Sequence, residues 1–284
     1  IILDIPNMMF AGGTSRGQYF QIRGIGELSQ FSGEGAPHYY ITTIVDNINF
    51  SGIGGLSLLN DIKQIEIFKG SHSTIFGPNS MGGTINIVSE QPKDIKESLF
   101  NLSYAGYNTK NHSLIINTPF NNQLKIRFTY INNYTDGMIY NKFNNKNDTN
   151  SKDEELIRFK INHRTSSQNI YDMTIYHINS NNKYDIWTPD NNGFTTYTDY
   201  QGYDKQKTNA LSIKNTNIFD RFKLINIASI SETDIIYSYD ADWANLDYWE
   251  DEYDYYNNSA TYFLEEACTW VEADENYNPD IMCP

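Results

Sequence analysis

Hydrophobic and polar side chains alternate along several segments in the second half of the chain. The clearest is LKIRFTYINNY, residues 124–134, and two further segments repeat its pattern, IRFKINHR at 157–164 and SLFNLSYA at 98–105. In the first of these, apolar or aromatic residues occupy one face, namely Leu124, Ile126, Phe128 and Tyr130, and Lys125, Arg127 and Thr129 occupy the other. A period of two predicts β-strands. An oily face opposite a wet face over about 9–11 residues is typical of strands that cross a membrane as part of a barrel.

The connections between the predicted strands alternate in length. Weaker strand patterns lie at 112–117, 169–179, 206–217 and 221–236. Tight turns are expected at 118–123, 164–169 and 217–221, and long polar loops at 135–155, 180–205 and after 236. Short turns at one rim and long loops at the other favour a transmembrane barrel over a soluble sandwich. Seven strands cannot close such a barrel, so we expect only part of one.

The first 97 residues have a different pattern. They are rich in glycine, and their apolar segments IRGIG, ITTIVDNI, IKQIEIFKG and GGTINIVSE predict strands too short to cross a bilayer. We therefore predict a small domain at 1–97 and barrel strands at 98–284. Because the chain begins at Ile1 and ends in a loop-like stretch, we interpret it as a piece of a longer protein.

Charge is distributed unevenly. The net charge is −14, but the first 223 residues hold 20 acids against 21 bases, and fifteen acids and no Lys or Arg follow Lys223. No basic surface suits nucleic acid. The acidic segment is predicted to be a solvated loop, with collection of a cationic or calcium-bridged ligand as the alternative. Its two cysteines, Cys268 and Cys283, either close a loop disulfide or remain free thiols.

Candidate catalytic chemistry is absent from the sequence. Lys69-Gly70-Ser71 lacks the order of a phosphate-binding loop, and GIGGLS at 52–57 fails the last position of a dinucleotide motif. The five histidines have no metal-ligand spacing, and no serine lies in a nucleophile elbow. We predict a protein that is not an enzyme and that carries no cofactor and no metal.

Three motifs in order resemble the plug domain of TonB-dependent outer-membrane receptors. IKQIEIFKGSHSTIFGPNSMGGTINIVSEQP, residues 62–92, resembles the end of that plug, YFQIRGIG at 19–26 resembles its F-x-I-R-G-I-G element, and APHYYITTIVDNI at 36–48 resembles its element ending V-D-G-V. The chain departs from the family pattern at Lys69-Gly70-Ser71, where Arg-Gly-Pro is usual, and at Asn47, which replaces glycine but tolerates the left-handed turn.

The resemblance implies a mostly β fold: a small α+β plug followed by the first seven or so antiparallel strands of a 22-stranded transmembrane β-barrel, truncated at both ends. It implies a multi-pass protein of the Gram-negative outer membrane, surrounded by outer-membrane lipid and lipopolysaccharide. Its implied partners are TonB, with the inner-membrane complex that energises it, and a small-molecule substrate such as an iron chelate.

The resemblance also implies roles for particular residues. Polar contacts between plug and barrel are expected at Arg23, Glu66, Lys69 and Asn86. Sharp backbone turns or close approach are expected at Gly24, Gly70, Gly77, Gly82 and Gly83. Phe31, Asn49 and Phe50 in plug loops are expected to face the substrate, with packing inside the plug as the alternative. Independently of the resemblance, the aromatic faces of Trp243 and Trp249 make these residues of the acidic segment candidates for contact with a ligand.

The expected function is TonB-dependent uptake of a scarce nutrient, with iron–siderophore as the first candidate. A carbohydrate or cobalamin substrate is the alternative within transport. A surface receptor or adhesin that retains the plug without transporting is the alternative from another class, and a soluble β-rich enzyme is disfavoured because no catalytic set is present.

Overall fold

The computed structural model describes residues 5–11, 19–26, 39–54, 60–77, 79–184, 187–188, 190 and 192–250. In this part of the chain the strands of the first domain are β1 Met8–Ala11, β2 Tyr19–Ile22, β3 Ile25–Gly26, β4 Ile41–Val45, β5 Ile48–Asn49, β6 Ile62–Lys69 and β7 Gly83–Ser89, with one short helix, α1 Ser73–Phe76. β1, β2 and β3 form an antiparallel sheet. The other four strands form a mixed sheet in the order β5-β4-β7-β6, in which β4 and β7 run parallel.

The second domain is one long antiparallel sheet. Its strands are β8 Glu97–Ala105, β9 Thr109–Pro119, β10 Leu124–Thr135, β12 Lys152–Arg164, β13 Asn169–Tyr184, β15 Gly202–Ile218 and β16 Lys223–Ser238, and each pairs with the next in chain order. Two short strands, β11 Tyr140–Asn141 and β14 Thr195–Thr196, join the long loops as a separate parallel pair. The predicted seven-stranded partial barrel is confirmed.

The predicted alternation of faces is also present. Along β12 the side chains of Leu156, Arg158 and Lys160 are buried against the first domain, and those between them are partly exposed. The opposite face carries exposed apolar side chains, including Phe100 and Ile230. In the barrel interpretation this is the face that meets lipid, because large apolar side chains are exposed along it in the described part of the chain.

The turns and loops match their predicted rims. Tight connections join β9 to β10, β12 to β13 and β15 to β16 at one rim. Long connections join β10 to β12 and β13 to β15 at the opposite rim, where the short turn at 106–108 between β8 and β9 also lies. The strands extend further into the long loops than expected, since β13 continues to Tyr184 and β15 begins at Gly202. No helix among the described residues is both long enough and apolar enough to pass through a bilayer.

The hydrophobic core lies between the two domains. Val45, Ile48 and Phe50 from the first domain pack in one cluster with Leu156, Tyr176 and Ile178 from the sheet. Phe50 meets the ring of Tyr176 edge-on, with centroids 5.5 Å apart. The first domain is therefore seated on the inner face of the curved sheet, as a plug lies against a barrel wall.

Candidate functional site

The first polar site between the domains is built around Asp61, which lies directly before β6. Arg127 on β10 binds its carboxylate with two nitrogens: Nε donates to Oδ2 at 2.7 Å and Nη2 to Oδ1 at 2.6 Å. Arg158 on β12 donates from Nη2 to Oδ2 at 3.2 Å. The three side chains are only 5%, 3% and 1% exposed. Two planar guanidinium groups thus hold one plug carboxylate in a nearly dry interface.

Neighbouring groups complete the Asp61 cluster. Thr129 donates to Asp61 at 3.2 Å, and Glu97 accepts from Nη1 of Arg127 at 2.9 Å. The cluster holds two cations and two carboxylates and is therefore balanced in charge. Nη1 of Arg158 is buried without a hydrogen-bond partner among the described residues, and the guanidinium carbon lies 5.9 Å from the ring centre of Tyr176.

The second polar site is built around Asp46. This residue and Asn47 form the two-residue turn between β4 and β5, with φ values of 46° and 69°. Both positive values indicate a type I′ turn, which fits the twist of a β-hairpin. The turn directs the Asp46 carboxylate at the barrel wall, where Lys160 donates to it at 3.1 Å and Tyr176 at 2.6 Å.

Ser89, at the end of β7, links this cluster to the plug sheet. Its backbone nitrogen and hydroxyl both donate to Asp46, at 3.0 and 2.5 Å, and its own hydroxyl accepts from Lys160 at 2.8 Å. Asp46 and Lys160 are each 3% exposed. Every group in the Asp46 cluster has a partner, so the buried ion pair is compensated for the water it loses.

The surroundings of both plug carboxylates keep them ionised. Burial alone would raise the pKa of Asp46, but the charge of Lys160 and the hydrogen bonds from Ser89 and Tyr176 lower that pKa below its ordinary value of 3.8. Burial would likewise raise the pKa of Asp61, and the hydrogen bond and charge of Arg127 hold that pKa below 3.8. Both carboxylates are therefore charged at neutral pH.

A third contact between the domains is uncharged. Gln206 on β15 accepts from the backbone nitrogen of Gly54 at 2.8 Å and donates to its carbonyl oxygen at 3.3 Å. It extends the polar contact to a fourth barrel strand.

The residues predicted to bind the barrel wall lie elsewhere in the plug. Glu66 and Asn86 bond to each other across β6 and β7, at 2.7 Å. Lys69 donates to the carbonyl oxygen of Pro6 at 2.9 Å, and Arg23 is exposed on a turn with φ 55°. Among the described strands none of the four meets the wall, and their predicted role in plug–barrel contact stays a prediction.

The predicted glycine positions have backbone or steric requirements. Gly24, Gly70 and Gly77 have φ values of 79°, 113° and 92°. A Cβ on Gly82 would lie 2.7 Å from Ile41, and one on Gly83 would lie 2.6 Å from the carbonyl oxygen of Phe68. A side chain at Gly83 would collide with the backbone of the neighbouring strand β6, and one at Gly82 would displace the side chain of Ile41.

The structure describes four of the five predicted substrate-facing residues. Phe50 is a correction: it is 1% exposed and packs in the core, since the hairpin turn places it under the plug sheet rather than towards a ligand. Asn49 is exposed and accepts from the backbone of Ser51. Trp243 and Trp249 are 46% and 37% exposed at the long-loop rim, and their substrate role stays a prediction. Phe31, Cys268 and Cys283 lie outside the described residues.

Sequence reasoning missed both plug carboxylates. The alternation places Arg127, Arg158 and Lys160 on the wet face of their strands, but it does not show which plug acids meet them. Three inward cations on two adjacent strands need anionic partners when the plug buries them. Their presence therefore indicates that acidic residues of the plug face these strands.

Comparison with known proteins agrees with this architecture. Residues 1–84 match the family described as TonB-dependent Receptor Plug Domain. A 52-residue stretch is 33% identical to the pesticin receptor of Yersinia enterocolitica, covering 18% of this chain and 8% of that protein.

Solved structures share the fold. The ferric yersiniabactin uptake receptor FyuA from Yersinia pestis superposes with a TM-score of 0.63 at 16% identity, covering 82% of this chain and 38% of that one. The siderophore receptor PiuA from Acinetobacter baumannii gives 0.62 at 17%, covering 82% and 34%. The chain thus spans little more than a third of these receptors.

The fold and the interface define a plug seated on a partial β-barrel. Residues 1–84 match the TonB-dependent receptor plug domain, and the strands that follow share the fold of the barrel wall in the solved receptors.

Proposed function

We propose that the complete protein imports a scarce nutrient across the Gram-negative outer membrane, with TonB supplying the energy and an iron–siderophore complex as the substrate. The observation that carries the proposal is the pair of buried ionic clusters, around Asp46 and Asp61, that join plug loops to adjacent barrel strands. A gate needs such contacts because it has to stay closed until a force is applied.

The energetics of the two clusters suit a gate. Removing one partner from a buried, hydrogen-bonded ion pair costs about 3–5 kcal/mol, because the other charge remains buried alone. Displacing the plug separates both clusters, but the freed groups then meet water in the lumen. The closed state is therefore favoured at rest, and the open state is accessible to a pulling partner once a substrate has bound above the plug.

The proposed substrate class draws on the named relatives. The structurally similar proteins include the ferric yersiniabactin uptake receptor FyuA and FpvA of Pseudomonas aeruginosa, whose structure is a complex with pyoverdine and iron. Carbohydrate and cobalamin remain the competing substrates of the same proposal. No covalent step is part of it, and the matched proteins are receptors rather than enzymes.

The test is uptake in cells that carry or lack the gene. We expect the gene to support growth on ferric siderophores under iron limitation, and the support to disappear when TonB is deleted. Growth on oligosaccharides and on cobalamin should be the same with and without the gene. Ferric siderophore uptake that persists at full rate without TonB would overturn the proposal. Binding of ferric siderophore to cells with no TonB-dependent entry would favour the non-transporting receptor.

A further inference from the structure

Residues 90–96 connect β7 of the plug to β8 of the barrel, and we call them the linker. The side chain of Asn117 on β9 binds this linker and is only 1% exposed. Its amide oxygen accepts from the backbone nitrogen of Lys93 at 2.9 Å. Its amide nitrogen donates to the carbonyl oxygens of Lys93 and Ile95 at 3.0 and 2.5 Å. The acceptor and both donors of this amide are therefore bound to the backbone of the linker.

The strand pairing of β8 does not extend into the linker. Pairing between β8 and β9 starts where Glu97 faces Asn117. Two positions further along the same pair of strands, Ile95 would face Pro119, the last residue of β9. Proline has no backbone N–H to donate to a neighbouring strand. The side-chain amide of Asn117 thus supplies the hydrogen bonds that strand pairing no longer provides.

The other end of the linker is bound to the plug. The backbone nitrogen of Glu90 donates to the carbonyl oxygen of Asp61 at 2.8 Å. Ser89, one residue earlier, donates twice to Asp46. Residues 91 and 92 therefore lie between the part of the chain that is fixed to the plug and the part that is fixed to the wall.

Ion pairs at the wall end of the linker contribute little to its attachment. Lys125 lies 2.5 Å from Asp94, but that carboxylate is 82% exposed. Lys93 lies 3.4 Å from Glu97, and both side chains are partly exposed. Water screens such pairs. Among the residues that the structure describes, the buried amide of Asn117 is therefore the main attachment of the linker to the wall.

We propose that Asn117 clamps the wall end of the linker, residues 93–96, and that residues 91 and 92 are the hinge about which the plug moves. The inference rests on the plug displacement in the proposed function. From Ser89 to Lys93 the chain spans four residues, about 14 Å when fully extended. While the clamp holds, the end of β7 stays within that distance of the wall. So short a tether raises the effective concentration at which a displaced plug meets its seat, and this favours closing after a pull.

The test pulls the complete receptor by its N-terminus in a lipid bilayer, using atomic force microscopy, and then relaxes it. In the unaltered receptor we expect the chain to extend as far as residue 92 before the barrel resists. Asn117→Ala should free the linker up to β8, which lengthens the final extension by four residues, about 14 Å. The matched control is Asn101→Ala, which removes an inner-face amide that donates to Ser113 within the wall at 3.1 Å. It should leave the final extension unchanged.

Re-seating of the relaxed plug tests the hinge separately. In Asn117→Ala the tether from Ser89 to Glu97 spans eight residues in place of four. Re-seating should then slow about threefold, because effective concentration falls with roughly the 3/2 power of tether length. Four Gly/Ser residues inserted between Gln91 and Pro92 should slow re-seating by a similar factor while the clamp remains intact.

Hydrogen exchange of receptors that are not pulled separates a local clamp from a general loss of structure. Asn117→Ala removes the acceptor of the Lys93 N–H, so exchange at Lys93 should accelerate about tenfold, with β10 unchanged. The insertion should leave exchange at Lys93 unchanged. Acceleration throughout β9 and β10 would show that the whole wall is weakened, and this result overturns the clamp.

Three results of the pulling experiment would also overturn the proposal. They are an unchanged final extension in Asn117→Ala, an equal lengthening in Asn101→Ala, and re-seating that the insertion does not slow. None of these measurements uses a siderophore or TonB, so a failure of the proposed uptake leaves them readable.

Discussion

At the residue scale, Asp61 is the plug side chain that the barrel wall holds most firmly. Its carboxylate takes three hydrogen bonds from Arg127 and Arg158. Asp61→Asn removes the negative charge that both buried guanidinium groups face. We expect the free energy that holds the plug on the barrel wall to fall by about 3 kcal/mol. Hydrogen exchange of the amides in β6 and β7, measured by mass spectrometry, should accelerate about a hundredfold.

The control for Asp61→Asn is an ion pair of equal charge at the surface. Asp94 pairs with Lys125 at 2.5 Å, but its side chain is 82% exposed. Water screens such a pair. Asp94→Asn should therefore change the hydrogen-exchange rates of the plug amides only slightly, which corresponds to less than about 1 kcal/mol. Equal effects of the two substitutions would show that burial of the Asp61 cluster contributes nothing to seating.

The lowered pKa values of Asp46 and Asp61 set the pH dependence of seating. Because each pKa in the folded protein lies below 3.8, the stabilisation is fully present above that value and is lost as pH falls through the lowered pKa. We expect single receptors in planar bilayers to remain closed from pH 7 to about pH 4 and to conduct increasingly below it. Asp61→Asn should open more readily at pH 7 and lose part of the acid response.

At the element scale, the β4–β5 hairpin turn positions the second carboxylate. Asn47 has φ 69° and its side chain is exposed, so the position contributes conformation more than contact. Asn47→Ala should destabilise the plug by about 1 kcal/mol, since alanine lacks the local hydrogen bonds that let asparagine adopt this conformation. Asn47→Gly should be neutral or slightly stabilising. Thermal unfolding of the purified receptor checks both, and an equal loss in both variants would assign Asn47 a contact role.

The strands were predictable from sequence because each barrel strand has one apolar and one polar face. The alternation in β10 and β12 correctly placed Arg127, Arg158 and Lys160 on the inner side. The plug partners were not predictable in the same way. Asp46 and Asp61 lie in turns, where no periodicity shows which way a side chain points. Their contacts with the wall join residues 66 to 130 positions apart in sequence and depend on how the two domains dock.

Phe50 illustrates the same limit. A phenylalanine that follows a short strand in a glycine-rich stretch is equally compatible with an exposed loop and with a core position. Phe50 takes the core position because the plug docks with this side chain against the ring of Tyr176. The glycines were easier to interpret, because positive φ at Gly70 and Gly77 follows from local turns alone.

At the scale of the whole molecule, charges of opposite sign on the plug and the wall allow a charge-swap test of how the plug is held. In both clusters the carboxylate at the centre belongs to the plug and the cations that hold it belong to the wall. Lys160→Asp places two carboxylates together, and Asp46→Lys places two ammonium groups together. Each single variant should therefore raise the resting conductance of the reconstituted receptor.

The double variant Asp46→Lys with Lys160→Asp restores opposite charges across the same interface. The hydroxyls of Ser89 and Tyr176 can serve either orientation, since a hydroxyl both donates and accepts, although the backbone N–H of Ser89 loses its acceptor. If the Asp46 cluster acts by attraction between plug and wall, the double variant should be closed more often than either single variant, with a coupling energy above about 1 kcal/mol. If the three variants conduct alike, the cluster only fills space, and plug seating has to be assigned to the apolar contacts around Phe50 and Tyr176.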